Sequence, residues 1–224
     1  MYFFRYFYYN DCILFQRYNI MRKSARFASL LLIISIFLAF AGCGKYQSTR
    51  YINTGKEQLS GLHHAEIEIE GYGVISVELD ADVAPISVTN FVELANSGFY
   101  NGTKFHRIIN GFMMQGGAAK NDEDAKKLQP IYGEFSANGI TNDIKHVAGT
   151  ISMARANDAN SATSQFFIVH KDYPSLDGNY AGFGHVTDGM DIVNQICENT
   201  PNSGENGAVA EEDQPVIKEI RIID

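Results

Sequence analysis

The chain has 224 residues, of which 45% are hydrophobic and 20% are charged, with three cysteines and no tryptophan. This length suits one domain of about 100 to 200 residues with a leader before it. The residues after Cys43 contain 13 Lys and Arg against 25 Asp and Glu, a formal charge of −12. Because so acidic a chain repels phosphate backbones, we expect no nucleic-acid partner. Cys12 and Cys43 lie in or before the leader, so Cys197 is alone in the body and a disulfide-stapled fold is excluded.

The only strongly hydrophobic run spans residues 30–40, and basic residues precede it. This layout is typical of a secretory signal, and the run is too short for a membrane-spanning helix of about 20 residues. The tetrapeptide Phe40-Ala41-Gly42-Cys43 resembles the cleavage box of bacterial lipoproteins, although Phe40 departs from the usual leucine. We therefore predict a lipid on Cys43 that anchors the protein to the bacterial cell membrane, outside the cytoplasm. An ordinary signal peptide with a chance cysteine is the alternative.

The segment before the signal is unusual, because aromatic residues crowd positions 2–9 ahead of the basic region. A start at Met21 gives a leader of normal proportions, so we expect translation to begin there and the leader to end at residue 43. Residues 44–61 are polar and have no apolar period, which predicts a tether. The folded domain is expected to span residues 62–224.

From residue 62 onward, short apolar segments alternate with turn residues. Hairpins are predicted over 67–79 and 105–117, further strands at 149–154 and 165–170, and a last strand over 215–224 with Val216, Ile220 and Ile222 as its apolar positions. Helices are predicted from Pro85 to Gly98 and over 190–196, and a charged, solvated loop over 118–130. Many strands with two helices fit a β-barrel plugged by helices.

One hairpin carries the clearest chemical signal. Its two apolar runs flank an Asn-Gly pair, which commonly forms a tight turn. With a period of two, Phe105, Arg107 and Ile109 share one face of the first strand. By the same period, Met113 and Gln115 share one face of the second. An arginine among apolar residues, without an acidic neighbour in sequence, indicates either a surface residue on an edge strand or an apolar cleft that holds one fixed cation.

This hairpin resembles the signature of the cyclophilin-type peptidyl-prolyl isomerases, and further segments agree with that family in the same order. They are Ile75–Leu79, Pro85–Phe91, Gly149–Ala154, Ser164–Ile168 and Leu176–Gly184. The resemblance covers roughly residues 64 to 224. It implies a mostly β fold, in which a closed eight-stranded antiparallel β-barrel is capped by two α-helices. It also implies isomerase activity on proline-containing polypeptides, without a cofactor.

The resemblance also implies a set of site residues. Arg107 is the expected catalytic donor to the nitrogen of a twisted X-Pro amide, and Gln115 is expected to position either the substrate carbonyl or Arg107 itself. The proline pocket is expected to contain Phe112, Met113, Phe167 and Leu176, with Ala154 and the backbone of Arg155 at its rim and Tyr180 in the place of a frequent family histidine.

The sequence also contains features of other protein classes. Ser164 and His170 could belong to a hydrolase triad, but no nucleophile-elbow pattern accompanies them. His63 and His64 have no carboxylate or cysteine at ligand spacing, so we expect them to be solvated and expect no metal site. A binding module that holds proline-containing segments without turnover stays open. The acidic body and the charged loop around Asp122 leave room for that interpretation, whereas Arg107 and Gln115 favour a folding catalyst for exported, unfolded chains, which we expect to be a monomer.

Overall fold

A computed structural model describes residues 57–201 and 205–224. The predictions on the leader, Cys43, the Met21 start and most of the tether lie outside the described residues. The strands are β1 (Leu62–Ile69), β2 (Gly73–Asp80), β3 (Phe105–Ile109), β4 (Met113–Gly116), β5 (Thr150–Met153), β6 (Phe166–Val169), β7 (Gly182–Asp188) and β8 (Ile217–Ile222). The α-helices are α1 (Pro85–Asn96), α2 (Asp122–Lys127) and α3 (Met190–Asn199). None of these helices is long and apolar enough to cross a membrane.

The eight strands form one antiparallel sheet in the order β3-β4-β6-β5-β7-β2-β1-β8. The sheet is an open half-barrel, so the predicted closed barrel is wrong. Among the described residues, the edges of β3 and β8 meet only near the bridge between Lys104 and Val216. Farther along β3, its outer edge is taken by the segment before β8, where Val209 N–H donates to His106 O over 3.0 Å. Because that segment occupies the edge, β8 cannot extend a ladder along β3.

The main core lies between the sheet and the helices, and aromatic rings fill its centre. Phe91 of α1 is fully buried and lies 5.4 Å from Phe166 of β6 between ring centroids, with the ring planes at 87°. Tyr100 and Phe183 pack against Phe91 at 5.3 and 5.4 Å. Edge-to-face pairs of this kind stabilise a core by about 0.5–1.5 kcal/mol beyond the burial of their area. Phe91 therefore fixes α1 against β6, one of the strands that also border the site described below.

A carboxylate from a distant loop caps the first turn of α1. Glu134 accepts hydrogen bonds from the backbone N–H groups of Ile86 and Ser87, at 2.9 and 2.8 Å, and from the Ser87 hydroxyl at 2.7 Å. The helix has no side-chain cap of its own, so Glu134 satisfies N–H groups that would otherwise be unpaired. Burial raises the pKa of Glu134, while the hydrogen bonds from Ser87 and Ile86 oppose that shift. This contact ties the loop before β5 to α1.

Both predicted hairpins and both predicted helices are confirmed, but the charged loop over 118–130 is partly wrong, because α2 forms inside it. Asn121 caps this short helix by accepting a hydrogen bond from Asp124 N–H at 2.9 Å. Lys127 pairs with Glu123 one turn earlier at 3.6 Å. Acidic residues in the first turn and basic residues in the last turn both favour a helix, and the loop interpretation overlooked that order.

Two strands differ from what the sequence pattern predicts. Strand β7 was not predicted, because glycines interrupt its apolar residues. One of these glycines, Gly184, is required by close packing, since a Cβ on it would lie 2.2 Å from Glu78 O on β2. In β8 the prediction is confirmed for Ile220, which is buried, but the other buried residue is Ile217, while Ile222 is half-buried and Val216 lies before the strand. A register shift opposite Glu68 and Ile69 interrupts the alternation, which moves the core face by one position.

Candidate active site

A cavity of about 130 Å³ opens on the side of the sheet away from the main core, and all nine residues predicted to contact substrate line it. They are Arg107, Phe112, Met113, Gln115, Ala154, Arg155, Phe167, Leu176 and Tyr180. The predicted lipidation residue, Cys43, lies outside the described residues. The structure therefore brings together side chains from β3, β4, β6, the turn between β3 and β4, and the segments that follow β5 and β6.

The β3-β4 hairpin positions the polar part of the cavity. Met113 and Gln115 lie on the cavity side of β4, as predicted. The prediction that Phe105, Arg107 and Ile109 share one face is wrong for Phe105, which is buried in the main core. A register shift between Phe105 and Arg107 explains the difference, because Phe105 pairs with Gly116 and Arg107 pairs with Gln115. The irregularity turns Arg107 and Ile109 toward the cavity and keeps Phe105 in the core.

Arg107 is held by neutral groups rather than by a carboxylate. Its Nε donates to Asn206 O at 2.8 Å, and its Nη1 donates to Gln115 Oε1 at 3.3 Å. Nη1 also lies 3.7 Å from the sulfur of Met113, and the guanidinium carbon lies 5.8 Å from the centroid of the Phe112 ring. Within residues 57–201 and 205–224, no carboxylate pairs with Arg107, and Nη2 has no hydrogen-bond partner. The guanidinium thus keeps a donor available to a ligand in the cavity.

Gln165 supports this arrangement, although the sequence analysis did not assign it to the site. Its Oε1 accepts a hydrogen bond from Gln115 Nε2 at 3.0 Å, and its backbone oxygen accepts one from Ala154 N–H at 2.9 Å. Gln165 therefore orients Gln115, which in turn contacts Arg107. Its position immediately before the β6 residues Phe166 and Phe167 was the signal that could have identified it.

Replacing Gln165 with alanine tests this positioning role. We expect Gln165→Ala to lower kcat/KM by about two- to tenfold, because a neutral hydrogen bond contributes about 0.5–1.5 kcal/mol. Isomerisation of a proline peptide followed by NMR measures the effect. Gln165→Glu, which keeps the acceptor oxygen, should retain more activity than Gln165→Ala. Equal loss in the two variants would contradict a role for this hydrogen bond.

The floor of the cavity is apolar and almost dry. Met113 is 1% exposed and Phe167 is 4% exposed, and both pack with Val169, Leu176 and Ala154 in a cluster separate from the main core. A polar donor beside an apolar floor suits a ligand that is mostly apolar and has one polar bond.

The opposite wall is built by stacked side chains. The guanidinium carbon of Arg155 lies 4.6 Å from the Tyr180 ring centroid and 5.0 Å from that of Phe135. Arg155 Nη2 also donates to Asn179 O at 2.8 Å. Tyr180 in turn makes an edge contact with Phe167, with ring centroids 5.8 Å apart. These contacts leave the side chain of Arg155 folded onto the wall, with its backbone at the rim.

A buried histidine, which the sequence analysis missed, holds the loop that carries Leu176. His146 N–H donates to Asp177 Oδ1 at 2.8 Å, and the imidazole lies between Asp177 and Ser152, with Nδ1 3.2 Å from Asp177 Oδ1 and Nε2 3.1 Å from Ser152 Oγ. Burial lowers the pKa of His146, although the hydrogen bond to Asp177 opposes the shift. The neutral imidazole thereby links β5 to the wall of the cavity.

This burial predicts a pH-dependent stability. Burial also lowers the pKa values of His106 and His170. A lowered folded-state pKa means that the unfolded chain binds protons first, so the stability contributed by the neutral histidines is present above their ordinary pKa of 6.5 and is lost as the pH falls through the folded-state values. We expect the urea concentration at the midpoint of unfolding to decrease as the pH is lowered from about 7.5 to about 5.

The control for this prediction is His146→Asn, which should show a shallower fall across the same pH range because one titrating group is gone. Glu134 acts in the opposite direction, since its raised pKa means that protonation favours the folded state as the pH falls. Because Glu134 is present in both the wild-type protein and His146→Asn, the difference between their curves removes its contribution. Parallel curves for the wild-type protein and His146→Asn would contradict the prediction.

The alternative chemistries find no support in the geometry. Ser164 Oγ donates to Gly117 O at 2.8 Å, while His170 Nδ1 accepts from Gly111 N–H at 2.9 Å, so the two residues have different partners. Residues 57–201 and 205–224 contain no group of three side chains suited to a metal ion. The prediction that His63 and His64 are merely solvated is wrong for both residues. His63 Nδ1 lies 2.8 Å from Asp224 Oδ2, and His64 Nε2 lies 3.5 Å from Glu78 Oε2.

Comparisons with known proteins agree with this geometry. The family model described as cyclophilin-type peptidyl-prolyl cis-trans isomerase/CLD matches residues 64–224. The chain is 46% identical over 138 residues to peptidyl-prolyl cis-trans isomerase A of Dickeya dadantii, a match that covers 59% of this chain and 70% of that protein. It is 41% identical over 134 residues to peptidyl-prolyl cis-trans isomerase B of Escherichia coli, covering 56% of this chain and 79% of that protein.

Solved structures give the same result. A cyclophilin-type isomerase from Cryptosporidium parvum matches with a TM-score of 0.60 and 30% identity over 73% of this chain and 99% of that one. A structure of that protein determined in the presence of the dipeptide Ala-Pro matches with a TM-score of 0.58 and 34% identity, over 72% of this chain and 99% of that one. With its half-barrel, its apolar cavity and a family match across most of its length, the chain belongs to the cyclophilin family and is a peptidyl-prolyl cis-trans isomerase.

Proposed function

We propose that this isomerase lowers the barrier to X-Pro rotation through a hydrogen bond from Arg107 to the amide nitrogen of the twisted substrate. The main support for this mechanism is that neutral partners hold the guanidinium beside an apolar floor, with Nη2 unpaired among the described residues. In an ion-paired arginine, this N–H group would already donate to a carboxylate. Here the donor remains available for the reaction.

The proposed mechanism follows from the electronic structure of the amide. Rotation about the X-Pro bond meets a barrier of about 18–20 kcal/mol, because it breaks the resonance between nitrogen and carbonyl. In the twisted state the proline nitrogen regains a lone pair and becomes a hydrogen-bond acceptor. A donor aimed at this nitrogen binds the transition state more strongly than either planar isomer, which is the condition for raising the rate.

The remaining residues hold the substrate and exclude water. Met113, Phe167 and Leu176 hold the proline ring, and Phe112 shields it from solvent, so the bond from Arg107 acts in a medium of low polarity. At the rim, the backbone N–H and C=O of Arg155 have no hydrogen-bond partner in the described part of the chain. We propose that they pair with the backbone of the segment that precedes proline. The structure of the Cryptosporidium relative with Ala-Pro supports an X-Pro ligand of this kind.

The experiment that tests the activity separates catalysis from simple binding. A catalyst accelerates refolding of a protein whose slow step is X-Pro isomerisation when present at about one molecule per hundred clients, since each molecule turns over. A binding module acts only near equal concentrations, and it slows refolding by holding the client. Acceleration that requires equal amounts of the two proteins would favour the binding module.

We further propose that the enzyme acts on exported chains while anchored to the cell membrane through a lipid on Cys43. Support comes from the basic and apolar leader, the tetrapeptide that ends at Cys43 and the polar segment over 44–61. Labelled fatty acid should be incorporated into the wild-type protein but not into Cys43→Ser. After cell fractionation, Cys43→Ser should no longer be found with the membranes. Equal labelling of the two proteins would overturn the anchor at this residue.

A further inference from the structure

We infer that Phe112 and Tyr173 form a subsite for an apolar or aromatic residue that directly follows the proline of the substrate. This inference rests on the proposed function, because it takes the proline ring to occupy the cavity. It adds a sequence preference to that function: proline followed by a large apolar side chain. We call Phe112 and Tyr173 together the aromatic ledge.

The ledge is an extension of the cavity wall toward solvent. The ring centroids of Phe112 and Tyr173 lie 4.2 Å apart, with the ring planes tilted by 37°. Phe112 lines the cavity, and Tyr173 stacks against it from outside the lining. Tyr173 is 40% exposed, whereas most large apolar side chains of the described chain are buried. A ligand group that covers this ring removes apolar area from water, which favours binding.

The backbone of Tyr173 is fixed before any ligand binds. Its N–H donates to His146 O at 2.8 Å, and its oxygen accepts from Leu176 N–H at 3.1 Å. Pro174 follows it and begins a short 3₁₀ turn, Pro174–Leu176, which restricts the backbone further. His146 is itself buried and bonded to Asp177. Since the ring is held on a rigid segment, covering it costs little conformational entropy.

The place of the ledge decides which substrate residue reaches it. The cavity spans the neighbouring strands β3, β4, β6 and β5. Ala154 and Arg155 follow β5 at one end of this span, while Phe112 precedes β4 near the other end. In the proposed function the segment before proline pairs with the rim at Arg155. A peptide that continues across the cavity then leaves over Phe112 and passes Tyr173, so the residue after proline lies on the ledge.

The test compares peptides Ala-Ala-Pro-Phe and Ala-Ala-Pro-Gly by NMR exchange, with the wild-type protein and Tyr173→Ala. We expect the wild-type protein to favour the Phe peptide in kcat/KM by about three- to tenfold, the range that one aromatic contact supplies. In Tyr173→Ala this ratio should fall toward one, mainly through KM, because the contact exists in both the ground state and the transition state. Tyr173→Phe, which keeps the ring, should retain the preference.

Leu62→Ala is the matched control, since Leu62 is also an exposed apolar residue, at 53%, and lies at the start of β1. It should keep the wild-type ratio between the two peptides. An unchanged ratio in Tyr173→Ala overturns the ledge while the isomerase stands. If Tyr173→Ala instead changes the preference for the residue before proline, measured with Xaa-Pro-Gly peptides, the assigned direction of the peptide across the cavity is wrong. Absence of isomerisation of every peptide by the wild-type protein refutes the proposed function as well.

Discussion

Arg107→Ala is expected to lower kcat/KM for an Ala-Pro-Phe peptide by about 100- to 1,000-fold, the cost of removing one donor that acts in the transition state. The loss should lie mainly in kcat, because the apolar floor formed by Met113 and Phe167 still binds the proline ring. Protease-coupled or NMR-monitored isomerisation measures it. Peptide affinity, measured by calorimetry, should change much less than the rate.

Two further variants separate the donor from other effects of the substitution. Arg107→Lys keeps a positive charge but loses the planar fork that contacts Asn206 O and Gln115 at once, so it should recover only part of the rate. Arg221→Ala removes an arginine from an ion-pair group with Glu66 and Glu68 and should leave isomerisation near the wild-type value. Catalysis that survives Arg107→Ala would show that the binding pocket alone accounts for the rate.

The second large effect concerns two adjacent phenylalanines on β6, which face opposite sides of the sheet. Phe166 is fully buried in the main core and makes edge contacts with Phe91, Tyr100 and Phe105, at 5.4, 5.6 and 6.0 Å between ring centroids. We expect Phe166→Ala to lower the free energy of unfolding by about 3–5 kcal/mol, because it opens a cavity in a closed core. Urea denaturation gives the value.

Phe167→Ala is the matched substitution one residue later. Phe167 borders the open cavity, so its truncation enlarges a site that already meets solvent, and the loss of stability should be smaller than for Phe166→Ala. Its kcat/KM should fall at least about tenfold, because the proline ring loses an apolar wall. Under conditions where both variants are folded, Phe166→Ala should retain more activity. The reverse order of the two effects would contradict the assigned faces of β6.

Much of this protein could be predicted from the sequence where contacts are local. The alternation of apolar and polar residues predicted the β1-β2 hairpin, and apolar residues at helical spacing predicted α1. The resemblance of ordered motifs to the family identified the contact residues that line the cavity. These predictions work because a strand with one buried face and a helix with one buried stripe impose periods of about 2 and 3.6 residues on the sequence.

The tertiary structure decided the features that depend on distant partners. The register shift at His106 that separates Phe105 from Arg107 depends on pairing with β4, and the opening of the barrel depends on the segment at Ala208 taking the edge of β3. Gln165 and His146 each depend on a partner dozens of positions away, Gln115 and Asp177. A period in sequence specifies which face of an element is apolar, but the identity of the partner on that face is set only when the chain closes on itself.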